Sequence, residues 1–333
     1  MGLSLKMTLA NSKLNNVSIL ICSKNRRRML ESLVKDLQQK NSDYSAEIVV
    51  VEESDSGLPI TGAKYIRHPV SNRGFGYARN IALKHANSDI LVFVDDDCKV
   101  SYGWLEKLIQ PMVIDEDVLG VQGGVAVPEQ SNIIGWAESI LGFPGGGLKR
   151  IVEAKGINIE TKEISTLNCA YRRKAIEAVG GFDERFKLGG EDYILAKQIC
   201  EIGRCLFVPS AVIKHESRGC LRKIWSWFVR RGQAEVKVVQ SRIYKKANYR
   251  SIIRGSIIIK LVLLILAGNL IPNFLPYPFG IIILVYGFII YARYYKIWRG
   301  SQASIGAFVI LPVVKSAMDL ATDFGRLRGL IHG

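Results

Sequence analysis

Three consecutive carboxylates, Asp95-Asp96-Asp97, directly follow the apolar run Ile90–Val94. Adjacent carboxylates repel one another unless a cation neutralises them, and hard divalent cations prefer oxygen ligands. The triplet therefore predicts a divalent metal site at the end of a buried strand. A solvated acidic turn that leads into a helix at Trp104 would explain the same residues, so the triplet alone leaves both interpretations open.

A second acidic pair, Glu191-Asp192, follows Gly189-Gly190 and opens a segment with helical periodicity. Acidic residues are favoured at helix N-termini because of the helix dipole and capping. The pair becomes a candidate for general-base chemistry only if the same pocket holds a substrate. Both interpretations stay open at this point.

The elements that must position these carboxylates alternate between strand and helix. Such alternation predicts an α/β domain in which a largely parallel sheet is covered by helices. We predict strands at Val17–Cys22, Glu47–Val51, Lys64–Ile66 and Ile90–Val94, with helices near Met29–Lys40 and Ala78–Ala86. Ligands of such sheets bind beyond the carboxyl ends of the strands, which is where the acidic triplet lies.

Three blocks of sequence resemble the family 2 inverting glycosyltransferases, from Val17 to about Gln240. VSILICSKNR resembles the opening strand and nucleotide-contacting turn of that family. NRGFGYARNIALKHANSDILVFVDDD resembles its Asn-x-Gly, Ala-Arg-Asn and Asp-x-Asp block, and STLNCAYRRKAIEAVGGFDERFKLGGEDYILAKQI resembles its acceptor-side block. The resemblance implies the GT-A nucleotide-diphospho-sugar transferase fold, an α/β fold with a Rossmann-like mixed sheet.

The resemblance also implies a mechanism. Asp95 and Asp97 would bind Mn2+ or Mg2+, which offsets the charge of the leaving nucleotide diphosphate. Asp192 would be the general base that deprotonates the acceptor hydroxyl, and Glu191 would orient the acceptor or tune that base. His215 would be a further metal ligand, although a buried histidine hydrogen-bonded to the backbone would fit the same position.

The resemblance further implies a pocket for a nucleotide-sugar donor, a UDP-sugar or a GDP-sugar. Its lining would come from residues that follow several strands, namely Ser23, Asn25, Arg26, Glu52, Arg79, Asp95, Asp96 and Arg231. The chain departs from the family at Cys22–Asn25, where Pro-x-Tyr-Asn is usual. It departs again at Glu52-Glu53, where Asp-Asp is usual, so the base of the nucleotide stays open. For Arg231, a basic patch facing a membrane is the competing interpretation.

The excess of basic residues is concentrated near one segment. The whole chain of 333 residues has a net charge of +15, and +10 of it falls between Lys214 and Arg254. A basic run of this kind suits nucleic acid or an anionic membrane surface. The apolar stretches that follow favour the membrane, so no nucleic-acid partner is expected.

Two apolar stretches, Ser256–Ile271 and Phe279–Ala292, are each near the lower limit of about 17 residues for a spanning helix. Residues 272–278 between them carry no charge, whereas cations flank the outer ends, which predicts a membrane hairpin with cytoplasmic termini. Two buried helices of a soluble protein are the alternative. The amphipathic stretch Ala303–Ile331 predicts an interfacial or re-entrant helix.

The predicted organisation has five parts. Residues 1–16 form an N-terminal extension without a signal peptide, 17–218 the catalytic domain, and 219–254 a basic amphipathic juxtamembrane helix. Residues 255–292 form the transmembrane hairpin, and 293–333 a basic loop with the C-terminal helix. The six cysteines are dispersed, with no Cys-x-x-Cys pair, so they are expected to be reduced thiols.

These observations predict a multi-pass protein of the cell membrane whose catalytic domain faces the cytoplasm. It would transfer a sugar to a lipid-linked or glycan acceptor during cell-surface polysaccharide assembly, with glycan assembly proteins as candidate partners. A polyprenyl-phosphate monosaccharide synthase is a second enzymatic interpretation. A non-catalytic nucleotide-sugar-binding subunit is the third, motivated by the departure at Glu52-Glu53.

Overall fold

The structure is a computed structural model that describes residues 16–40, 46–244, 247–268 and 278–332. Nearly all of the predicted N-terminal extension therefore lies outside the described residues. The chain divides into two compact units. The first contains residues 1–128 and 153–216, and the second contains residues 129–152 and 217–333.

The elements follow one another in alternation over the first half of the chain, and helices dominate the second half. In order they are β1 (Val17–Lys24), α1 (Arg27–Lys40), β2 (Glu47–Glu53), β3 (Lys64–His68), α2 (Phe75–His85), β4 (Ile90–Val94), β5 (Cys98–Lys99), α3 (Trp104–Ile114), β6 (Val118–Ala126), α4 (Ile133–Ile140), α5 (Gly147–Glu153), β7 (Ile159–Glu160), β8 (Asn168–Arg172), α6 (Arg173–Ala178), α7 (Glu191–Ile202), β9 (Arg204–His215), α8 (Leu221–Ser241), α9 (Tyr249–Gly255), α10 (Ile257–Gly268), α11 (Pro278–Arg299), α12 (Ile305–Val309) and α13 (Leu311–His332).

The first unit is built on a mixed sheet with the strand order β3-β2-β1-β4-β8-β6-β9-β5, and β7 pairs with β9. The strands β3, β2, β1 and β4 are parallel, as the alternation predicted. The strand β8 runs antiparallel to both β4 and β6. The predicted mixed α/β sheet is therefore confirmed, and the antiparallel strands follow the acidic triplet in the sequence.

Hydrophobic side chains cover both faces of this sheet. Successive residues of a strand point to opposite faces, so Ile19 and Ile21 pack with α1 and α3 on one face, while Leu20 packs with α2 and α7 on the other. The helix α1 buries Leu30, Leu33, Val34 and Leu37, a spacing that lines one side of a helix. The apolar side chains on the two faces of the sheet therefore hold the carboxyl ends of β1 and β4 in place.

The second unit is helical and has its own apolar core. Ile224 and Phe228 of α8 pack with Leu311, Val314 and Met318 of α13. Part of the amphipathic C-terminal stretch is therefore buried against protein. Leu327 and Leu330 on the same helix stay exposed, and the interfacial or re-entrant placement of this helix stays a prediction.

The predicted membrane-spanning hairpin at residues 255–292 is not supported. Within the ranges that the structure describes, no helix is both long enough and apolar enough to cross a membrane. The structure has the helices α10 and α11 at these positions. Residues 269–277, which include almost all of the predicted tip, lie outside the described residues.

Candidate active site

The acidic triplet lies where the parallel pairing of β1 with β4 predicts it. The two strands pair in register at Leu20 and Phe93, so the residues that follow β1 lie beside those that follow β4. The carboxylate of Asp96 is buried and accepts hydrogen bonds from Ser23 Oγ at 2.6 Å and Arg26 Nη1 at 3.0 Å. Asp96 therefore anchors the turn after β1.

The structure brings His215 to the same place through β5. Cys98, directly after the triplet, pairs with His215 at the end of β9. His215 Nε2 consequently lies 3.2 Å from Asp97 Oδ1. One potential ligand atom from each of Asp95, Asp97 and His215 falls within 4.8 Å of the others, and this is the candidate metal site.

The charges around this site affect its two carboxylates differently. Burial raises the pKa of Asp95 to about 6, against the opposing effect of Arg79. Because 41% of the Asp95 side chain stays exposed, contact with water reduces the effect of burial on this pKa. Burial also acts to raise the pKa of Asp97, but His215 and Arg26 outweigh it and lower that pKa.

The residues of the candidate metal site fit a divalent cation. Asp97 Oδ1 is buried, and among the described residues it has no hydrogen-bond donor of good geometry. Buried polar atoms are normally satisfied, so such an oxygen needs a partner. Two carboxylates and an imidazole are a ligand set that suits Mn2+, and the two carboxylates suit Mg2+.

A buried arginine joins this site to the second acidic pair. Arg79 of α2 donates a short hydrogen bond from Nη1 to Glu191 Oε1, and its Nη2 lies 3.8 Å from Asp95 Oδ1. Burial acts to lower the pKa of Arg79, but Glu191 and Asp95 outweigh it and raise that pKa. The two halves of the predicted site therefore share one guanidinium.

Aromatic rings and a glycine hold Arg79 and Glu191 together. The guanidinium carbon lies 5.3 Å from the ring centre of Phe75 and 5.6 Å from that of Phe182. A Cβ at Gly76 would lie 3.5 Å from Glu191 Cβ and 3.2 Å from the Asp183 carbonyl oxygen. Gly76 thus lets α2 approach the start of α7 closely.

Asp192 lies at the N-terminus of α7 and is only partly buried. Its Oδ1 accepts a hydrogen bond from the Tyr193 backbone N–H at 2.8 Å. The neighbouring Glu191 is buried, and this burial raises its pKa despite Arg79. Glu191 Oε2 has no hydrogen-bond partner among the described residues. The pair therefore offers an accessible carboxylate and a buried carboxylate oxygen.

The acidic residues at the end of β2 already have protein partners. Glu52 Oε2 accepts from Tyr65 Oη at 2.7 Å and from Arg27 Nη1 at 3.0 Å. Glu53 Oε1 accepts from Lys24 Nζ and from the backbone N–H groups of Ser71 and Asn72. The predicted contact of Glu52 with a nucleotide base stays a prediction.

Asn25 and Arg231 were also predicted to contact the nucleotide-sugar donor. Asn25 is exposed and has a left-handed backbone with φ of 54°. Arg231 belongs to the second unit, where it lies 3.2 Å from Glu235 and 4.8 Å from the ring centre of Phe143. The role of Arg231 beside a diphosphate is untested by these contacts.

Two contacts of the site were missed by sequence reasoning, namely the bond of Arg26 to Asp96 and Asp97 and the bond of Arg79 to Glu191. For Arg26 a signal was available, because adjacent parallel strands place their following residues together. For Arg79 and Glu191 no local pattern exists, since 112 positions separate them.

The mixed sheet therefore carries a candidate metal site at its strand ends, and an acidic pair at the start of α7 lies beside it. Residues 18–180 match the model of Glycosyl transferase family 2. This segment is a family 2 glycosyltransferase domain, which confirms the resemblance seen in the sequence.

Individual proteins support the same family. The chain is 26% identical over 226 residues to a pre-mycofactocin glycosyltransferase of Mycobacterium tuberculosis, covering 65% of this chain and 45% of that protein. It is 24% identical to the probable N-acetylgalactosaminyltransferase 7 of Caenorhabditis elegans, covering 52% and 34%. The chain thus spans less than half the length of these curated relatives.

A solved structure shares the fold over nearly the whole chain. It is the mannosyltransferase PcManGT of Pyrobaculum calidifontis in complex with GDP-Man and Mn2+. The match covers 95% of this chain and 94% of that one, with a TM-score of 0.58 and 17% identity. At this identity the likeness shows the fold alone, which is the predicted GT-A type.

Proposed function

We propose that this protein is a metal-dependent inverting glycosyltransferase that moves a sugar from a nucleotide diphosphate to a membrane-associated acceptor. The observation that carries the proposal is the buried Arg79, which contacts Glu191 and lies 3.8 Å from Asp95. It joins the candidate cation site to the acidic pair that contains the candidate base. A structural acidic turn would need neither the second carboxylate pair nor the histidine.

In this proposal Asp95, Asp97 and His215 hold Mn2+ or Mg2+. The bound cation supplies charge neutralisation for the leaving diphosphate. Asp192, being partly exposed at the start of α7, accepts the proton of the acceptor hydroxyl. Glu191 offers its buried Oε2 as a hydrogen-bond acceptor that orients a substrate hydroxyl. Attack from the face opposite the leaving group inverts the anomeric centre.

The donor in this proposal is a UDP-sugar or a GDP-sugar. GDP-Man and Mn2+ are bound by the mannosyltransferase that shares the fold, which supports a nucleotide diphosphate together with a divalent cation. Glu52 can serve the base only if it exchanges part of its bonding with Arg27 and Tyr65. That requirement makes the end of β2 the place where the choice of base is decided.

The acceptor in this proposal is a lipid-linked glycan at the cytoplasmic face of the cell membrane. The second unit supports it, because Leu284 and Phe288 of α11 are exposed while Arg293, Lys296 and Arg299 follow on the same helix. Apolar side chains next to cations are typical of helices that lie on an anionic membrane surface.

The test is transfer or hydrolysis of labelled nucleotide sugars by the wild type and by Asp192→Asn, each with and without Mn2+. We expect the wild type to require the cation and the variant to lose about 10²-fold or more in rate. Equal rates would refute Asp192 as the base. If Mn2+ and nucleotide raise the melting temperature but no donor is turned over, the chain is a binding subunit.

A further inference from the structure

Arg26 and His215 contact different oxygens of the Asp97 carboxylate at the candidate metal site. Arg26 Nη1 donates to Asp96 Oδ1 at 3.0 Å and to Asp97 Oδ2 at 2.8 Å. The other oxygen of Asp97, Oδ1, lies 3.2 Å from His215 Nε2. One oxygen of this carboxylate therefore faces the positive charge of Arg26, and the other faces the candidate cation site.

We propose that Arg26 is a counter-charge that couples the binding of the divalent cation to the binding of the nucleotide diphosphate. This inference rests on the proposed function. The guanidinium neutralises Asp96 and Asp97 in the nucleotide-free protein and thereby weakens the attraction of the site for a cation. When a diphosphate arrives, Arg26 transfers its hydrogen bonds to the phosphate oxygens, and the cation affinity rises.

The positions of Arg26 and Arg79 indicate that Arg26, and not Arg79, is the arginine that moves. The Arg79 side chain is only 8% exposed and lies between Phe75 and Phe182, so it stays in place. The Arg26 side chain is 49% exposed and follows β1 in a short connection. Arg26 is therefore the arginine that can turn toward a ligand without unpacking the core.

The carboxylates keep other partners when Arg26 turns away. Asp96 retains the hydrogen bond from Ser23 Oγ at 2.6 Å, and Asp97 retains the neighbouring His215. Guanidinium groups bind phosphate oxygens with charge-assisted hydrogen bonds, which are as strong as those to carboxylates. Arg26 therefore exchanges its carboxylate partners for phosphate oxygens. The carboxylates that it leaves are no longer neutralised, so they attract the cation more strongly.

The experiment measures Mn2+ binding directly, by the electron paramagnetic resonance signal of free Mn2+, with and without UDP or GDP. The variants are Arg26→Gln, which removes the charge, and Arg26→Lys, which keeps it. Arg28→Gln is the matched control, because Arg28 is exposed two residues further along the chain. Circular dichroism checks that each variant is folded.

We expect Arg26→Gln to bind Mn2+ roughly tenfold more tightly than the wild type in the absence of nucleotide. The gain in Mn2+ affinity caused by UDP or GDP should be correspondingly smaller in this variant, because coupling between two ligands is a difference of affinities. Arg26→Lys should resemble the wild type without nucleotide, and Arg28→Gln should resemble it under both conditions.

Two outcomes would overturn the inference while the proposed function stands. Unchanged Mn2+ affinity in Arg26→Gln would show that the charge is not felt by the site. Weaker Mn2+ binding in that variant would make Arg26 a residue that orients Asp97. If the wild type itself binds no Mn2+ with either nucleotide, the proposed metal site fails, and the inference fails with it.

Discussion

At the scale of single residues, the site depends on ion pairs that the core partly or fully removes from water. Arg79 and Glu191 form a deeply buried pair of this kind, with side chains 8% and 4% exposed. Breaking a buried pair leaves an unpaired charge, which costs far more than the pair itself contributes. The same contact that joins the two half-sites is therefore a determinant of stability.

We predict that Arg79→Gln lowers the free energy of unfolding by about 3 kcal/mol, because Glu191 is left buried without its cation. Urea denaturation measures the loss. Arg73→Gln is the control, because the Arg73 side chain is 51% exposed where it pairs with Glu184, and it should cost at most about 1 kcal/mol. Adding Glu191→Gln to Arg79→Gln should recover part of the loss. Equal losses of stability in Arg79→Gln and in the control Arg73→Gln would contradict the prediction.

A second residue-scale prediction concerns Glu53 and acid stability. Burial acts to raise the pKa of Glu53, but the N–H groups of Ser71 and Asn72 together with Lys24 lower it below the usual 4.5. A carboxyl whose pKa is lower in the folded state contributes stability above its unfolded pKa, and this is lost as the pH falls through the folded pKa.

Glu53→Gln should therefore lose less stability than the wild type when the pH is lowered from about 5 to about 3. Chemical denaturation at a series of pH values measures the two slopes. Glu31→Gln is the control, because the Glu31 side chain is 52% exposed in its pair with Arg27. A Glu53→Gln slope as steep as that of the wild type would refute the assigned role.

At the scale of elements, two glycines decide how closely α8 and α13 pack within the second unit. A Cβ at Gly232 would lie 2.1 Å from the carbonyl oxygen of Thr322, and one at Gly325 would lie 2.1 Å from that of Val229. Real Cβ atoms do not approach so closely, so both positions need glycine. The contact allows Ile224 and Phe228 to reach the apolar core with Met318.

We predict that Gly325→Ala destabilises the second unit by about 1–3 kcal/mol, because the helices must separate to admit the methyl group. Thermal unfolding followed by circular dichroism measures the effect. Gly287→Ala on α11 is the matched control, because its Cβ would meet nothing within 4 Å. That substitution should stabilise the helix by up to about 1 kcal/mol. A neutral Gly325→Ala would show that the helix pair adapts without loss.

At the scale of the whole molecule, the chain combines a first unit that carries the candidate active site with a helical second unit that presents apolar side chains to the solvent. Large exposed apolar surfaces mark sites of interaction with proteins or membranes. The exposed side chains include Leu284 and Phe288, with 73% and 72% of their surface accessible. If the acceptor is membrane-associated, as proposed, the nearby cations favour an anionic lipid surface as the partner.

We predict that the protein sediments with vesicles containing phosphatidylserine, binds less to pure phosphatidylcholine vesicles, and is released by salt. Leu284→Glu combined with Phe288→Glu should weaken this binding at least tenfold, because two exposed apolar side chains that would enter the lipid are lost. The control is Ile114→Glu, which places a charge on an equally exposed side chain of the first unit. Equal binding by both variants would place the lipid contact elsewhere.

The sequence by itself determined the parallel half of the sheet, the strand end that carries Asp95 and Asp97, and the family. These features are local, since they depend on alternating hydrophobicity and on blocks of adjacent residues. The sequence did not show that Glu52 is held by Tyr65 and Arg27. It also predicted spanning helices that the described structure does not contain.

Only the tertiary structure decided which residues share the site. His215 reaches Asp97 because β5 pairs with β9, and Arg79 reaches Glu191 because Gly76 lets two helices approach. Contacts between residues more than 100 positions apart leave no periodicity in the sequence, since sheet pairing and helix packing create them. The pairing of β1 with β4 could have indicated the bonds of Asp96 to Ser23 and Arg26, but only the tertiary structure showed them.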